Sequence, residues 1–233
     1  MKDWTTKSAI VLSLLALWPV GLGAAASASA APAPAGVSYA RVGGPASVPY
    51  GWADFCRRYA GECGGGPLAP LDVNLTPQAM KEIERVDKWV NAHVKPVSDI
   101  EHWGVIDQWD YPADGKGDCE DYALFKRKIL MDEGFPRQAL LMTVVKDEHN
   151  EGHAILTVKT NAGEFVLDNL NDEIKSWDRT GYRFVKRQSQ TDQNVWLQSD
   201  GRARLCFAIE ILSAHLPRRQ GRGCTRGEPQ RLL

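Results

Sequence analysis

The first clear pattern of apolar residues predicts an amphipathic helix over residues 77–94. Thr76 and Pro77 supply an N-cap and a first-turn proline, which are typical of a helix start. The apolar positions that follow recur every three or four residues, and they are Met80, Ile83, Val86, Trp89, Val90 and Val94. A stripe of this kind faces the core of a globular domain, so we expect this helix to line the interior.

The pattern further along the chain predicts a second helix and a run of strands. The helix is expected to begin at Asp118 or Cys119 and to end at Gly134, because Gly134 and the nearby Pro136 are stop signals. Strands are predicted at residues 139–146, 153–160, 164–168, 182–187 and 195–197. Two helices followed by an antiparallel meander predict an α+β fold, with the helices packed on one side of the sheet.

The N-terminus has the pattern of a secretory signal over residues 1–30. Lys2 and Lys7 precede an apolar run over residues 9–23, and a stretch rich in alanine and serine follows it. An uncleaved anchor helix is the alternative, but the apolar run is shorter than a membrane span needs, which is about 20 residues. We therefore expect an exported protein that has no membrane span once the signal is cleaved.

The rest of the chain is interpreted as one domain between a linker and a basic tail. Residues 31–49 are rich in Ala, Pro, Gly and Ser, which predicts a linker. The domain is expected over residues 50–216, a length that suits one hydrophobic core. Residues 217–233 are rich in arginine, which predicts a solvated and disordered tail.

Composition and charge exclude several classes of protein. Hydrophobic residues make up 43% of the chain and charged residues 24%, as in soluble globular proteins. The formal net charge is -1, so the overall charge does not favour a nucleic-acid partner. Specificity must therefore come from a local site.

Five cysteines are compatible with disulfide bonds in an exported protein. Their odd number leaves at least one thiol free. If Cys119 is the free thiol, Cys56 and Cys63 can close a short loop, whereas a pair formed by Cys206 and Cys224 is less secure. The connectivity cannot be deduced from the sequence.

Cys119 follows a glycine-containing turn and stands at the predicted start of the second helix. The free N–H groups and partial positive charge of a helix N-terminus favour the thiolate, which is the reactive form of cysteine. The same N–H groups can bind a developing oxyanion. A buried structural cysteine is the alternative, but such a cysteine usually lies on an apolar stripe and not among acidic residues.

His153 and Asp168 complete a candidate catalytic triad with this cysteine. His153 begins one predicted strand, and Asp168 ends the next strand after a short turn. Neighbouring antiparallel strands bring such opposite ends together. The imidazole can then take the thiol proton while the carboxylate fixes its tautomer. Either residue alone is more simply interpreted as a hydrogen-bonded polar group, but the three together favour a thiol protease.

Three segments carry a resemblance to a known family. Residues 117–123 read Gly-Asp-Cys-Glu-Asp-Tyr-Ala, residues 152–156 read Gly-His-Ala-Ile-Leu, and residues 167–170 read Leu-Asp-Asn-Leu. In sequence and spacing they resemble the bacterial transglutaminase-like cysteine proteinases. The resemblance covers residues 50–200 and implies a papain-like, transglutaminase-like core. It also implies a periplasmic endopeptidase that uses the triad described above.

The resemblance further implies a calcium cofactor, held by the acids on either side of the nucleophile, Asp118 and Glu120. Calcium takes oxygen ligands, and Asp121 and Asp114 offer further carboxylates nearby. Acids beside a cysteine raise its pKa unless a cation neutralises them. The alternative is that acids in a first helical turn only complement the helix dipole.

The partners that the resemblance implies are a protein substrate and a regulator. The substrate would be a large surface adhesin that is cut in biofilm control, and the regulator an inner-membrane receptor. Fold and triad do not by themselves define a substrate. Two alternatives stay open. One is a transamidating, transglutaminase-like enzyme in which an amine captures the acyl-enzyme, and the other is a non-catalytic exported binding module.

Overall fold

A seven-stranded antiparallel sheet forms the centre of the protein, in a computed structural model that describes residues 37–201 of the 233. The strands in chain order are β1 Val42–Ala46, β2 Lys95–Pro96, β3 Lys116–Gly117, β4 Leu140–Lys146, β5 Gly152–Thr160, β6 Gly163–Leu167, β7 Lys175–Ser176, β8 Arg183–Gln188 and β9 Trp196–Gly201. The order across the sheet is β1, β9, β8, β4, β5, β6 and β7. β2 and β3 form a separate parallel pair.

The helices are α1 Tyr50–Arg58, α2 Pro77–His93, α3 Asp99–His102 and α4 Cys119–Asp132. α1, α2 and α4 contribute to the core on one face of the sheet, whereas the short α3 contacts β3. Short 3-10 turns lie at Arg137–Ala139 and Trp177–Arg179. α4 contacts both α2 and β5. This arrangement of helices on an antiparallel sheet confirms the α+β class predicted from the sequence.

The alternation of side chains along β5 divides the interior into two cores. Leu156 and Val158 belong to a large core that they share with α1, α2 and α4, whereas Ile155 belongs to a smaller one. Successive side chains of a strand point to opposite faces, so the two cores lie on the two sides of the sheet. Trp177 and Phe184 contribute to the smaller core.

The elements with strong periodicity lie where the sequence places them. The predicted helix over residues 77–94 is α2, and the hydroxyl of Thr76 caps it by accepting the N–H of Ala79 at 3.1 Å. The second predicted helix is α4. The predicted strands correspond in turn to β4, β5, β6, β8 and β9.

The predicted linker over residues 31–49 is wrong where it overlaps β1, which pairs with β9. The chain just before this strand is also fixed, because the N–H of Ala40 donates to Oε2 of Glu164 at 3.0 Å. The segment VGGPA contains glycine and proline and lacks the alternation of apolar residues that predicts a strand. Proline is nevertheless tolerated on a strand at the edge of a sheet. The folded domain therefore begins before residue 50.

Several predictions concern residues outside the described range of 37–201. They are the signal over residues 1–30, Cys206, Cys224 and the basic tail over residues 217–233. Within the described range, Cys56 and Cys63 form a disulfide bond and Cys119 is a free thiol. No helix in this range combines the length and hydropathy that crossing a membrane requires.

Candidate active site

Cys119 is the first residue of α4, and it is half-buried. The turn before it needs glycine at position 117, because a Cβ there would lie 2.5 Å from Oδ2 of Asp121. That carboxylate accepts the N–H of Asp118 at 3.4 Å and so closes the first turn of the helix. The first N–H groups of a helix have no partner within it, which leaves backbone donors close to the sulfur.

His153 and Asp168 are joined by a hydrogen bond at the ends of neighbouring strands. His153 is the second residue of β5, and Asp168 directly follows β6. Nε2 of the imidazole lies 2.8 Å from Oδ1 of the carboxylate, and both side chains are buried. Because Asp168 occupies Nε2, Nδ1 is the ring nitrogen that is left to exchange a proton with a sulfur.

Asp168 is held from three further directions. Its Oδ1 also accepts the N–H of Leu170 at 3.0 Å, its Oδ2 accepts the hydroxyl of Tyr182, and its backbone carbonyl accepts Nδ2 of Asn91 at 2.9 Å. Burial on its own raises the pKa of Asp168, but the hydrogen bonds to the carboxylate outweigh burial and lower the pKa below its ordinary value of 3.8. The carboxylate is therefore ionised at neutral pH.

The sulfur of Cys119 lies between an acid and the backbone of β5. The thiol donates to Oε2 of Glu120 at 3.0 Å and not to His153. The backbone of Ala154, the residue that follows His153, faces the sulfur and acts in the opposite direction to burial, towards a lower pKa of the thiol. Burial raises the pKa of Cys119 well above its ordinary value, and the carboxylate of Glu120 raises it further. In this arrangement burial and the acid outweigh the helix N-terminus, which alone favours the thiolate.

Acidic side chains cluster beside the nucleophile. Asp118, Cys119 and Glu120 place one potential metal-ligand atom each within 4.8 Å of one another, and so do Asp99, Asp118 and Asp121. Asp118 thus belongs to both groups, and Glu120 belongs to one. The structure therefore brings together both acids that the sequence assigned to calcium.

Asp114, which the sequence offered as a further ligand, lies apart from this cluster. Its Oδ2 is 2.9 Å from Nε2 of His102, and the side chain is 46% exposed. This local hydrogen bond, together with a longer contact to Lys116 at 3.7 Å, gives the carboxylate partners without a metal. Asp99 takes the place in the cluster that Asp114 was expected to fill.

Among the described residues, no lysine or arginine forms a salt bridge with the acids of this cluster. Within residues 37–201, Oδ1 of Asp99 and Oδ1 of Asp118 are buried and have no hydrogen-bond partner. Burial, with smaller contributions from the charges of Asp118 and Asp99, raises the pKa of Asp121 from 3.8 to about 8. Burial and the charge of Asp118 likewise raise the pKa of Glu120. Clustered carboxylate oxygens without hydrogen-bond partners are the kind of donor that Ca²⁺ prefers, so these residues fit a calcium ion.

The sequence places these residues in a known family. A family profile described as bacterial transglutaminase-like cysteine proteinase (BTLCP) matches residues 42–204, which is more than half of the chain. The chain belongs to this family. The protein is therefore a cysteine protease of the transglutaminase-like type, and Cys119 is the free thiol among the cysteines of the described residues.

Solved structures of LapG from Legionella pneumophila are similar to this transglutaminase-like proteinase. The calcium-bound form shares 24% identity with a TM-score of 0.46, and the match covers 57% of this chain and 76% of that one. A second LapG structure shares 25% identity with a TM-score of 0.45, and the match covers 53% of this chain and 71% of that one. An EGTA-treated form shares 26% identity with a TM-score of 0.44, and the match covers 53% of this chain and 69% of that one. Comparison with curated proteins gives no significant match.

Three residues around the site were not predicted from the sequence. Asn91 and Tyr182 contact Asp168 from 77 and 14 residues away, and no local motif announces such contacts. Asp99 has a weak local signal, because Ser98 caps the short helix that Asp99 begins and an acid in a first helical turn is common.

Proposed function

We propose that this protease cuts protein substrates with Cys119 as nucleophile, His153 as general base and Asp168 as the group that orients the imidazole. The observation that supports it most strongly is the buried hydrogen bond between Nε2 of His153 and Oδ1 of Asp168. It fixes the tautomer of the ring and leaves Nδ1 free for the thiol proton. The effect of the Ala154 backbone on the pKa of Cys119 supports the same assignment, because Ala154 directly follows His153.

The chemistry follows the order of acyl transfer. Nδ1 of His153 takes the thiol proton, and the sulfur attacks the carbonyl carbon of a peptide bond. Unpaired N–H groups in the first turn of α4 stabilise the oxyanion that forms. His153 then gives its proton to the leaving amine, and the C–N bond breaks to leave a thioester on Cys119. Water, activated by the same imidazole, hydrolyses the thioester and restores the thiol.

We also propose that the protease uses calcium, held by Asp118 and Glu120 with support from Asp99 and Asp121. When bound, the ion supplies positive charge that offsets these carboxylates. Glu120 is then engaged by a cation, so its charge no longer opposes ionisation of the Cys119 thiol. The calcium-bound and EGTA-treated LapG structures are consistent with this proposal.

The location and substrate are proposed from the family and from the N-terminal pattern. The signal-like segment over residues 1–30 favours export to the periplasm. The family resemblance favours a large surface adhesin as substrate, cleavage of which would release the adhesin in biofilm control. It also favours an inner-membrane receptor as regulator.

Incubation with secreted and surface proteins of the producing cell tests this function. We expect new protein termini by mass spectrometry with the wild-type enzyme in calcium, and much slower cleavage after a calcium chelator is added. Cys119→Ala should reduce cleavage by about 10⁶-fold, which is below detection, because it removes the nucleophile.

Different outcomes would separate the parts of the proposal. Cleavage that survives in Cys119→Ala would refute the assignment of the nucleophile. Cleavage that is indifferent to the chelator would refute the calcium requirement alone. Isopeptide-linked products without new termini would indicate the transamidating alternative instead of a protease.

A further inference from the structure

Tyr182 contacts both members of the histidine–carboxylate pair. Its hydroxyl donates a hydrogen bond to Oδ2 of Asp168. Its ring stands edge-on to the imidazole of His153, with 5.6 Å between the ring centroids and 71° between the ring planes. One side chain thus fills the remaining side of the carboxylate and borders the ring that the carboxylate orients.

The backbone around Tyr182 holds this side chain in place. The N–H of Tyr182 donates to the hydroxyl of Thr180 at 3.2 Å, and that hydroxyl donates to the carbonyl of Trp177 at 2.9 Å. Gly181 between them has φ of +78°, a conformation that glycine adopts without strain. Trp177 is buried in the smaller core. The tyrosine is therefore anchored to the sheet and does not lie on a free loop.

The two oxygens of Asp168 have separate partners. Oδ1 accepts from Nε2 of His153 and from the N–H of Leu170, whereas Oδ2 accepts from Tyr182. The carboxylate is only 5% exposed, so solvent is poorly placed to replace a lost donor. Without the tyrosine hydroxyl, Oδ2 becomes a buried acceptor with no partner and the carboxylate plane is less constrained.

We propose that Tyr182 is a positioning residue for the triad, which fixes the plane of the Asp168 carboxylate so that Oδ1 stays aligned with Nε2 of His153. This inference rests on the proposed triad. Tyr182 touches neither the sulfur nor a substrate in this role. It acts through Asp168, on the ring that must be correctly oriented to exchange the thiol proton.

Tyr182→Phe removes the hydroxyl and keeps the ring beside His153. The matched control is Tyr39→Phe, which removes a hydroxyl that donates to the carbonyl of Thr160 at 2.9 Å, at the other end of β5. The first readout is the rate at which iodoacetamide alkylates Cys119 in calcium, followed by mass spectrometry. This rate depends on the imidazole and needs no knowledge of the natural substrate.

The expected result is an alkylation rate about tenfold lower in Tyr182→Phe, because a hydrogen bond to a charged group is lost. Tyr39→Phe should stay close to wild type, and both variants should keep the thermal midpoint of a folded protein. The second readout is the downfield proton NMR signal of His153 Nε2–H, identified by its absence in His153→Ala. It should shift in Tyr182→Phe and stay in place in Tyr39→Phe.

His153→Ala and Asp168→Ala distinguish failure of this inference from failure of the proposed triad. If both slow the alkylation of Cys119 but Tyr182→Phe neither slows it nor moves the NMR signal, Tyr182 is a packing residue and the inference is overturned while the triad stands. If neither alanine variant changes the alkylation rate, the triad itself fails, and the role of Tyr182 fails with it.

Discussion

Glu120 is the residue whose charge matters most for the reactivity of Cys119. Its Oε2 accepts the thiol hydrogen at 3.0 Å, an arrangement that favours the thiol over the thiolate. Burial, and after it the negative charge of Asp118, raise the pKa of Glu120. A cation bound to the cluster would stabilise the ionised carboxylates and would remove their opposition to the thiolate.

The raised pKa of Asp121 leads to a prediction about stability and pH. Its folded-state pKa of about 8 lies above the ordinary 3.8, so without calcium Asp121 is more fully protonated in the folded protein than in the unfolded chain between about pH 4 and pH 8. The contribution of Asp121 to the free energy of unfolding is therefore lost as the pH rises through this window. Calcium binds ionised carboxylates, so we expect it to raise the thermal midpoint more at pH 8 than at pH 5.

The measurement is differential scanning fluorimetry with calcium and with EGTA at both values of pH. Asp118→Asn is the informative variant, because Asp118 belongs to both groups of candidate ligands, and it should reduce the calcium-dependent rise. A rise that is equal at both pH values, or absent altogether, would contradict the assignment of the cluster to calcium.

At the scale of single residues, local motifs were sufficient to select the candidate catalytic residues at the start of α4 and at the strand ends. Cys119 follows a recognisable turn, and His153 and Asp168 stand at opposite ends of consecutive strands. Tyr182 could not be predicted in the same way, because no tight turn between paired strands links it to Asp168; the short β7 and a 3-10 turn lie between them. Its role depends on the turn that precedes β8, which has no distinctive sequence pattern.

At the scale of helices and strands, a buried ion pair joins α2 and α4. Nζ of Lys126 lies 2.7 Å from Oδ1 of Asp87, with side-chain exposures of 1% and 0%. Burial raises the pKa of Asp87 to about 6 and lowers the pKa of Lys126. Each charge is therefore tolerated in the interior chiefly because the other is present.

Lys126→Met should lower the free energy of unfolding by about 3–5 kcal/mol, because it leaves Asp87 buried without a countercharge. Lys128→Met is the matched control on the same helix. Lys128 is 36% exposed and lies 3.4 Å from Asp132, so its loss should cost less than about 1 kcal/mol. Urea denaturation measures both values.

A double variant, Asp87→Leu with Lys126→Met, should recover most of the stability lost in Lys126→Met, because no buried charge remains. Equal costs for Lys126→Met and Lys128→Met would contradict this explanation of how α2 and α4 are held together.

Helices and strands differ in how clearly the sequence marks them. α2 and α4 have apolar stripes and clear start or stop signals, so periodicity located them. α1 has no side-chain cap at its start, and β1 carries two glycines and a proline, so neither stands out from a linker. A strand such as β1 forms because β9 is available to pair with it, and that partner lies far along the chain.

At the scale of the whole molecule, the order of strands brings the N-terminal segment into the domain. Glu164 of β6 is completely buried, and it accepts both Nη1 of Arg187 at 2.7 Å and the N–H of Ala40 at 3.0 Å. The segment that precedes α1 is thereby fixed across the smaller core. Sequence patterns predict the class of fold. They do not predict contacts between distant parts of the chain, such as those that Glu164 makes with Ala40 and Arg187.

The proposed mechanism requires Cys119, at the start of α4, to exchange a proton with His153, at the start of β5. Mass spectrometry of the wild-type protein, mixed with a cleavable surface protein and quenched in acid, tests it most directly. We expect a thioester-linked acyl fragment on the peptide that contains Cys119, and no such adduct in His153→Ala. Rapid cleavage in the wild type with no adduct at Cys119, or with an adduct on another residue, would contradict the proposed mechanism.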